Sequence, residues 1–448
     1  MPILKPFLAG AATSASQVEG AAFEDGRQES IWDEFCRERG RIIDGSDCSV
    51  SCDEYHRYDE DIAIARRLGI RALRFSIAWP RVVREDGSIN KEGLSFYDRF
   101  TDCLLENGIE PCPTLFHWDL PLSLYLKGGF QNRDTAKRFG EYAEAVMRML
   151  AGRAGTIFTI NEPQCISGLG YVTGEHAPGL RCGAEVFLRV LNTLLLCHGR
   201  AMSVIRDLAP RARAGAAVTG AVITPKDPKD IDAVYRENYR VTGDPRTDFW
   251  RMALWGDAVA FGSWPDAAYE LYGSALPVNS DGEWKEISQD SDFWAMNIYN
   301  SQMMGLDDDG RLVRVRRPAG APKTAAQWPV APECLYWGPR FAYERYKKGI
   351  MITETGMSGL DYVSEDGHVH DCDRIAFLRS YLRQLRRASD DGVPLCGLFI
   401  WSLLDNFEWA KGYTERFGLV HVDFESQKRT PKDSALALAG MLDGILLS

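Results

Sequence analysis

The sequence predicts a single (β/α)8 barrel, an α/β fold that extends over residues 1–448. Short apolar segments alternate along the chain with longer amphipathic segments, and no Pro-, Ser- or Gly-rich linker, repeat or low-complexity tract divides them. Unusual polar and aromatic residues follow the apolar segments almost one for one. This placement is expected of a barrel, because its active site lies where the strands end, at the C-terminal face.

Eight apolar segments are predicted to be buried parallel strands. They are residues 7–12, 72–77, 110–116, 156–160, 214–218, 293–296, 349–353 and 395–400. Between several of these segments, apolar residues recur three and four positions apart, which predicts helices that pack around the barrel. The predicted helices are residues 55–68, 93–106, 133–151, 186–209 and 373–388.

Composition excludes some classes of function. The formal net charge of −11 and the pI near 5.3 argue against a nucleic-acid or anionic-membrane partner. The N-terminus lacks the pattern of a signal peptide, and no apolar run approaches the ~18 residues that span a bilayer, so we expect a cytoplasmic protein. Eleven cysteines, an odd number, favour reduced thiols over a disulfide framework.

We expect neither a metal nor a cofactor. Cys48, Cys52 and His56 recur every four residues, but their spacing matches no zinc-ligand pattern, and no fourth ligand is evident nearby.

Seven of the eight predicted strands are followed by, or end in, residues suited to chemistry or binding. In strand order these are Gln17 and Glu19, Arg74, His117 and Trp118, Asn161 and Glu162, Asn297 and Tyr299, Glu354, and Trp401. The fifth strand, which ends at Thr219, contributes nothing distinctive. Because all eight C-terminal ends meet at one face, we expect these side chains to surround one site.

Residues 401–409, with the sequence WSLLDNFEW, combine aromatic rings with carboxylate and amide groups. Such polar groups are costly to bury without partners. A sugar supplies partners for both kinds of side chain, because its C–H faces stack on tryptophan and its hydroxyls bond to carboxylates and amides. The alternative is an aromatic loop that only packs over the barrel.

Glu162 and Glu354 are single carboxylates at the ends of the fourth and seventh strands, on opposite sides of the barrel mouth. Hydrolysis of an acetal requires such a pair, one to protonate the leaving oxygen and one to stabilise or trap the developing cation. A gap of about 5–5.5 Å between them gives retention of configuration, and roughly 6.5–9.5 Å gives inversion. The sequence leaves this gap undetermined.

These residues resemble those of the glycoside hydrolase family 1 β-glycosidases, over residues 7–435. The similar segments are QVEG at 17–20, RFSIAWPR at 74–81, HWDLP at 117–121, NEP at 161–163, HAPG at 176–179, NIY at 297–299, ITE at 352–354, WSLLDNFEW at 401–409 and RFGLV at 416–420. The resemblance implies a retaining, exo-acting β-glycosidase that forms a covalent glycosyl-enzyme. Glu162 would be the acid/base and Glu354 the nucleophile.

The resemblance also implies binding roles. Arg74 and Tyr299 would contact Glu354 and keep it ionised, and its negative charge would raise the proton affinity of Glu162. Trp328 would be the stacking platform for the leaving group, and Phe417 would line the pocket. The remaining residues would bind or surround the sugar: Gln17, His117, Trp118, Asn161, Asn297, Trp401, Glu408 and Trp409.

Substitutions within the motifs narrow the substrate. Relatives that act on 6-phosphorylated sugars carry Ser in the region of Glu408, and the negative charge of Glu408 would repel a phosphate. Thioglucosidases carry Gln in place of Glu162. We therefore expect hydrolysis of unphosphorylated O-linked β-glycosides, with glucose, galactose and fucose all open as the preferred sugar. Four positions depart from the family pattern and bear on the leaving group. Thr355 and Thr219 stand where Asn is common, Gln327 stands where Gly is usual, and Pro329 stands where an acidic residue is frequent.

Two other functions use the same residues or the same fold. A transglycosylase would need the same two glutamates and would transfer the sugar to an alcohol. A non-catalytic sugar-binding barrel would not need both glutamates, and this chain has both.

Overall fold

The computed structural model describes residues 3–219 and 221–447. Gly220, directly after the fifth predicted strand, lies outside these ranges. Within them, eight parallel strands close into one barrel, and each strand pairs with its neighbours in chain order. We number the barrel strands β1 Ile3–Ala12, β2 Ala72–Ser76, β3 Glu110–Thr114, β4 Thr156–Asn161, β5 Arg213–Thr219, β6 Trp294–Asn297, β7 Ile350–Thr355 and β8 Leu395–Trp401. The predicted (β/α)8 fold is confirmed.

All eight predicted strands are present, and the differences lie at their ends. β1 starts at Ile3 rather than at residue 7, because Ile3 also pairs with Leu395 of β8. β7 continues to Thr355, since Glu354 pairs with Asn297 of β6 and Thr355 pairs with Ile400. Glu354 therefore lies within a strand, which holds its backbone in place.

The five predicted helices are confirmed, with ends within two residues of those predicted. They are Glu54–Arg67, Lys91–Glu106, Asp134–Leu150, Ala184–Leu208 and Cys372–Asp390. In four of the five, an acidic residue lies in the first turn and an arginine in the last turn. In one of them, for example, Asp134 lies in the first turn and Arg148 in the last turn, so each opposes the partial charge of its end.

The sequence analysis missed several further elements. The helices among them are Ala15–Val18, Ile31–Arg37, Trp79–Val82, Leu122–Tyr125, Pro163–Gly168, Ile231–Asn238, Pro245–Asp248, Ala253–Phe261, Asp266–Tyr272, Asp281–Ile287, Cys334–Tyr346 and Asp433–Met441. Short strands outside the barrel are Val222–Pro225, Ser301–Leu306 and Leu312–Arg314, which form one sheet, and Val420–Val422 with Arg429–Pro431. The three-stranded sheet follows β5 and β6, so it stands at the barrel mouth.

The barrel interior is packed rather than hollow. Phe158 lies with its ring centroid 5.4 Å from that of Phe293 and 6.3 Å from that of Phe399. Small residues, such as Ala72 and Ala217, face these rings from other strands. The filled interior closes the barrel from below, so a ligand can enter only at the mouth. None of the helices in the described ranges has the length and apolar character needed to cross a bilayer.

Buried ion pairs attach the loops after β7 and β8 to the C-terminal segment. The Lys432 ammonium lies 2.6 Å from Asp361 and 2.7 Å from Asp405. Arg374 contacts Asp361 at 2.6 Å and Arg416 contacts Asp405 at 2.7 Å, so each carboxylate has two cationic partners. Burial lowers the pKa of Lys432, and the two aspartates oppose that shift. The network holds the loop that carries residues 401–409.

We predict that Lys432→Met destabilises the fold by about 3 kcal/mol, because removal of one partner of a buried pair leaves charge uncompensated. Lys428→Met is the matched control, since Lys428 is exposed. The thermal midpoints of both variants can be compared by circular dichroism. Equal midpoints would show that the network contributes nothing to stability.

Candidate active site

Glu162 is placed at the mouth by a change of backbone direction at the end of β4. Its φ of 45° lies in the left-handed region, and Pro163 begins a helix directly after it. The amide of Glu162 donates to the Ala217 carbonyl of β5, at 2.8 Å. Trp118 and Trp409 also have positive φ, at 79° and 52°. Strained backbone of this kind is concentrated at functional sites.

Glu354 is held by two donors. The Arg74 guanidinium lies 2.6 Å from one of its carboxylate oxygens, and the Tyr299 hydroxyl donates to the other oxygen, also at 2.6 Å. Arg74 is fully buried, and its other nitrogens donate to Thr114 and Asn161. The predicted support of the nucleophile by Arg74 and Tyr299 agrees with these contacts.

Asn297 lies between Glu162 and the strand that carries Glu354, and its side chain bonds to both sides. Its Nδ2 donates to Glu162 at 2.8 Å and to the side-chain oxygen of Asn161 at 3.0 Å. Its Oδ1 accepts from the Thr353 hydroxyl at 2.7 Å, one residue before Glu354. Both glutamates line one cavity of about 490 Å³.

The two glutamates differ in their electrostatic environment. Burial raises the pKa of Glu162 to about 7, and the nearby charge of Glu354 adds to this rise. Burial also raises the pKa of Glu354, but Arg74, Tyr299 and Asn297 oppose that shift. The sequence analysis named only the negative neighbour as the cause at Glu162, whereas burial is the larger effect. Glu162 is thus the better proton carrier, and Glu354 is the carboxylate with a cationic partner.

His117 is a neutral, cavity-lining imidazole. Burial, with the positive charge of Arg74, lowers its pKa well below the usual value. Its Nε2 lies 3.0 Å from Asn161 Nδ2, which donates to it, so the ring proton is on Nδ1. Nδ1 is buried and has no hydrogen-bond partner among the described residues.

Aromatic rings enclose the end of the cavity at which His117 lies. The rings of Trp401 and Trp409 are nearly parallel to that of His117, each with a centroid separation of 5.9 Å. Trp118 packs against Trp409 at 4.5 Å and donates its indole N–H to the Asn161 carbonyl at 3.0 Å. The apolar faces of these rings suit the C–H groups of a sugar.

Glu408 lines the same end, and one of its carboxylate oxygens has no partner among the described residues. Burial raises the pKa of Glu408 to about 8, and the charges of Glu354, Glu415 and Glu162 add to this rise. The sequence analysis relied on its negative charge to repel phosphate. At neutral pH the raised pKa weakens that argument, because the carboxyl is then mostly protonated.

The opposite end of the cavity is formed by different residues. Trp328 lies with its ring centroid 5.4 Å from that of Tyr299 and 5.8 Å from that of Phe417. Thr219, Leu169 and Trp250 also line the cavity. The arrangement can bind a sugar at the Trp401 end and an apolar group at the Trp328 end, with the two glutamates between them.

The family model for glycosyl hydrolase family 1 matches residues 2–442. The chain belongs to glycosyl hydrolase family 1. A β-glucosidase A of Acetivibrio thermocellus is 42% identical over 441 residues, which cover 96% of each chain. A bifunctional β-D-glucosidase/β-D-fucosidase of Bifidobacterium breve is 37% identical over 455 residues, again with 96% of each covered.

A solved structure of the β-glucosidase of Thermotoga maritima, in complex with glucoimidazole, matches this family 1 hydrolase with a TM-score of 0.89. The two are 38% identical, and the match covers 99% of each chain. Membership in the family makes the chain a glycoside-hydrolysing enzyme rather than a non-catalytic barrel. The family's reaction is hydrolysis, in which water accepts the sugar. This favours hydrolysis over the transglycosylase alternative, in which an alcohol accepts it.

The structure brings nearly all predicted site residues of this family 1 hydrolase to one cavity. Those that line it are His117, Trp118, Asn161, Glu162, Asn297, Tyr299, Trp328, Glu354, Trp401, Glu408, Trp409 and Phe417. Arg74 lies beneath Glu354. Gln17 is fully buried behind the wall, where its amide bonds to Ser14, Asn406 and the Phe407 carbonyl. Its role as a direct sugar contact stays a prediction.

The sequence analysis missed other cavity residues. They are Cys165, Leu169, Glu175, His176, Ala221, Trp250, Asn300, Ala326, Ala410, Lys411 and Glu415. His176 lies in a motif that the sequence analysis did use, so its position there could have identified it. Trp250 lies far from any strand end, and nothing in its local sequence indicates the cavity. Two of the three residues that were weighed above as metal ligands have partners within the protein. Cys52 donates to the Asp405 carbonyl, and His56 pairs with Asp53 and Glu24.

We predict a bell-shaped pH dependence of kcat/KM on a 4-nitrophenyl β-glycoside. As the predicted acid, Glu162 must be protonated, so activity falls as pH rises through about 7. As the predicted nucleophile, Glu354 must be ionised, so activity also falls at low pH. In Glu162→Gln, the pH profile of kcat/KM for a dinitrophenyl glycoside should lack the alkaline limb, because this leaving group needs no proton. An alkaline limb that persists in this variant would exclude Glu162 as the acid.

Proposed function

We propose that this protein is a retaining, exo-acting β-glucosidase that cleaves unphosphorylated β-O-glycosides. The observation that carries the proposal is the pair Glu162 and Glu354 in one cavity, one with a raised pKa and the other bound to Arg74. The names of the relatives support glucose as the sugar, and one of them extends the range to fucose. The family match over residues 2–442 supports a single catalytic domain across 1–448.

In the first chemical step, a Glu354 oxygen attacks the anomeric carbon while the bond to the leaving oxygen breaks. Glu162 transfers its proton to that oxygen, and the alcohol departs. In the second step, the ionised Glu162 takes a proton from water, whose oxygen attacks the same carbon and releases Glu354. Two displacements restore the β configuration.

The surrounding residues supply binding and charge stabilisation. Asn161, next to the acid, is positioned by Arg74 and Asn297 to reach the 2-hydroxyl, where hydrogen bonds strengthen in the transition state. His117 and Glu408 line the sugar end of the cavity, where their polar groups can bond to hydroxyls farther from the reacting carbon. Trp401 and Trp409 provide apolar faces. The closed barrel beneath the cavity suits attack at the end of a sugar chain.

We also propose a cytoplasmic location. All eleven cysteines are free thiols in the structure. Many of them are buried, and burial raises the pKa of Cys52, Cys112 and Cys165, which makes these thiols poor nucleophiles. Unpaired cysteines in this number suit a reducing compartment.

The first test of the function is Glu354→Gly. This variant should lose turnover of β-glucosides, because no nucleophile remains to form the covalent intermediate. It should still use α-glucosyl fluoride, which resembles that intermediate, and join the sugar to an added aryl glucoside with release of fluoride. Fluoride release and product mass are the measurements, and retained β-glucosidase activity would refute the assignment of Glu354.

The second test concerns sugar choice through Glu408. Loss of one partner of a buried hydrogen bond costs about 1–3 kcal/mol, and each 1.36 kcal/mol is roughly a factor of ten in rate. Glu408→Ser should therefore lower kcat/KM for 4-nitrophenyl β-glucoside about tenfold or more and, above pH 8, where Glu408 is ionised, reduce the barrier to the 6-phosphorylated glucoside. Glu425→Ser, at an exposed position, is the control. If the unmutated enzyme already prefers the 6-phosphoglucoside, the predicted substrate class is wrong.

A further inference from the structure

A second cleft adjoins the active-site cavity on its leaving-group side. Its volume is about 520 Å³, and its charged lining residues are Arg316, Arg317 and Lys323. The rest of its lining is the segment Pro318 to Pro322, with Pro329. All three charged residues are cations, in a chain whose net charge is −11.

The two cavities share one wall. Lys323 pairs with Pro329 across a short antiparallel bridge, and the Thr324 amide donates to the Trp328 carbonyl at 2.9 Å. Trp328 lines the active-site cavity, whereas Pro329, the next residue, lines the cationic cleft. Consecutive residues lie about 3.8 Å apart at Cα. The cleft and the leaving-group end of the active-site cavity therefore adjoin at this wall.

Two of the cations are unpaired. Arg317 has Glu333 at 3.5 Å and donates to the Val330 carbonyl at 3.2 Å, so it braces the wall. On the same hairpin, Arg311 pairs with Asp307 and Asp309. Within residues 221–447, no acidic side chain lies within salt-bridge distance of Arg316 or Lys323, and both are exposed.

The residues at this wall are also those that depart from the family pattern. Gln327 has a φ of 63°, in the left-handed region that favours glycine, yet the chain carries glutamine there. Pro329 stands where the resemblance leads one to expect an acidic residue, so a negative charge is missing beside Lys323. Both changes act on the leaving-group side and leave Glu162 and Glu354 untouched.

We propose that the cleft formed by Arg316, Arg317 and Lys323 binds a negatively charged extension of the leaving group. The preferred substrates are then β-glycosides whose aglycone carries a carboxylate or a similar anion beyond its first ring. This inference rests on the proposed glycosidase function and specifies the substrate class of the same site. Because the cations are exposed, the gain comes from attraction in water and depends on salt.

The test uses aryl β-glucosides in acid and methyl-ester pairs. One pair carries the carboxyl group directly on the phenyl ring, and the other carries it on a two-carbon vinyl arm with greater reach. The measured quantity is the ratio of kcat/KM for the acid to that for its ester. The ratio is measured for the wild type and for Arg316→Ala/Lys323→Ala, and the wild-type value is divided by the variant's value. This double ratio is free of the difference in leaving-group chemistry between the acid and its ester.

At low ionic strength we expect this double ratio to be about three to ten, as two exposed charge contacts can provide. It should be larger for the vinyl arm and fall towards one in about 1 M salt, where the Debye length is about 3 Å. Arg316→Glu/Lys323→Glu should invert the preference. Arg311→Ala is the matched control, because Arg311 is on the same hairpin but does not line the cleft.

The two proposals fail in different ways. If neither the acids nor the esters are hydrolysed, the glycosidase function is refuted, and the inference fails with it. If the esters are hydrolysed but the double ratio is one at low salt, only the cleft's role is refuted, and the cations are a solvated surface. Thermal midpoints equal to that of the wild type show that the variants are folded.

Discussion

The Arg74 guanidinium, fully buried beneath the barrel mouth, connects four strands through its donors. From β2 it reaches Thr114 on β3, Asn161 on β4, and Glu354 with the Thr353 carbonyl on β7. Its plane also lies over the Phe158 ring, 5.1 Å from the centroid. A buried charge is tolerated only when it is paired and hydrogen-bonded. The requirement to satisfy this one cation therefore sets the positions of the nucleophile and of the asparagine beside the acid.

The division of labour between the glutamates follows from that arrangement. Both are removed from water, so burial favours the protonated form of each. Arg74 and Tyr299 offset this effect at Glu354. At Glu162 the described contacts include an amide donor, Asn297, but no cation of its own. Chemically identical side chains thus differ in what opposes the effect of burial, because only Glu354 has a cationic partner of its own.

The loops at the mouth need the same kind of support. Trp401 is the last residue of β8, whereas Glu408 and Trp409 follow in a loop that ends in a short 3-10 helix, Trp409–Lys411. Asp405 supplies the support, because it binds Lys432 and Arg416 and accepts from the Gly418 amide at 2.9 Å. Gly418 is close enough to this loop that an added Cβ would lie 2.0 Å from the Asp405 nitrogen. The sugar end is therefore held by buried ion pairs, whereas Trp328 at the leaving-group end lies beside the short bridge between Lys323 and Pro329.

The sequence by itself determined the barrel, its eight strands, and most of the site residues. This was possible because strand and helix periodicities are local, and because a closed parallel barrel brings all strand ends to one face. Only the tertiary structure decided that Gln17 lies behind the wall, that Trp250 lines the cavity, and that burial rather than charge dominates the pKa of Glu162. It also placed Pro329 beside a cationic cleft. These features depend on contacts between residues far apart in the chain, and on how much water those contacts exclude, neither of which a local pattern records.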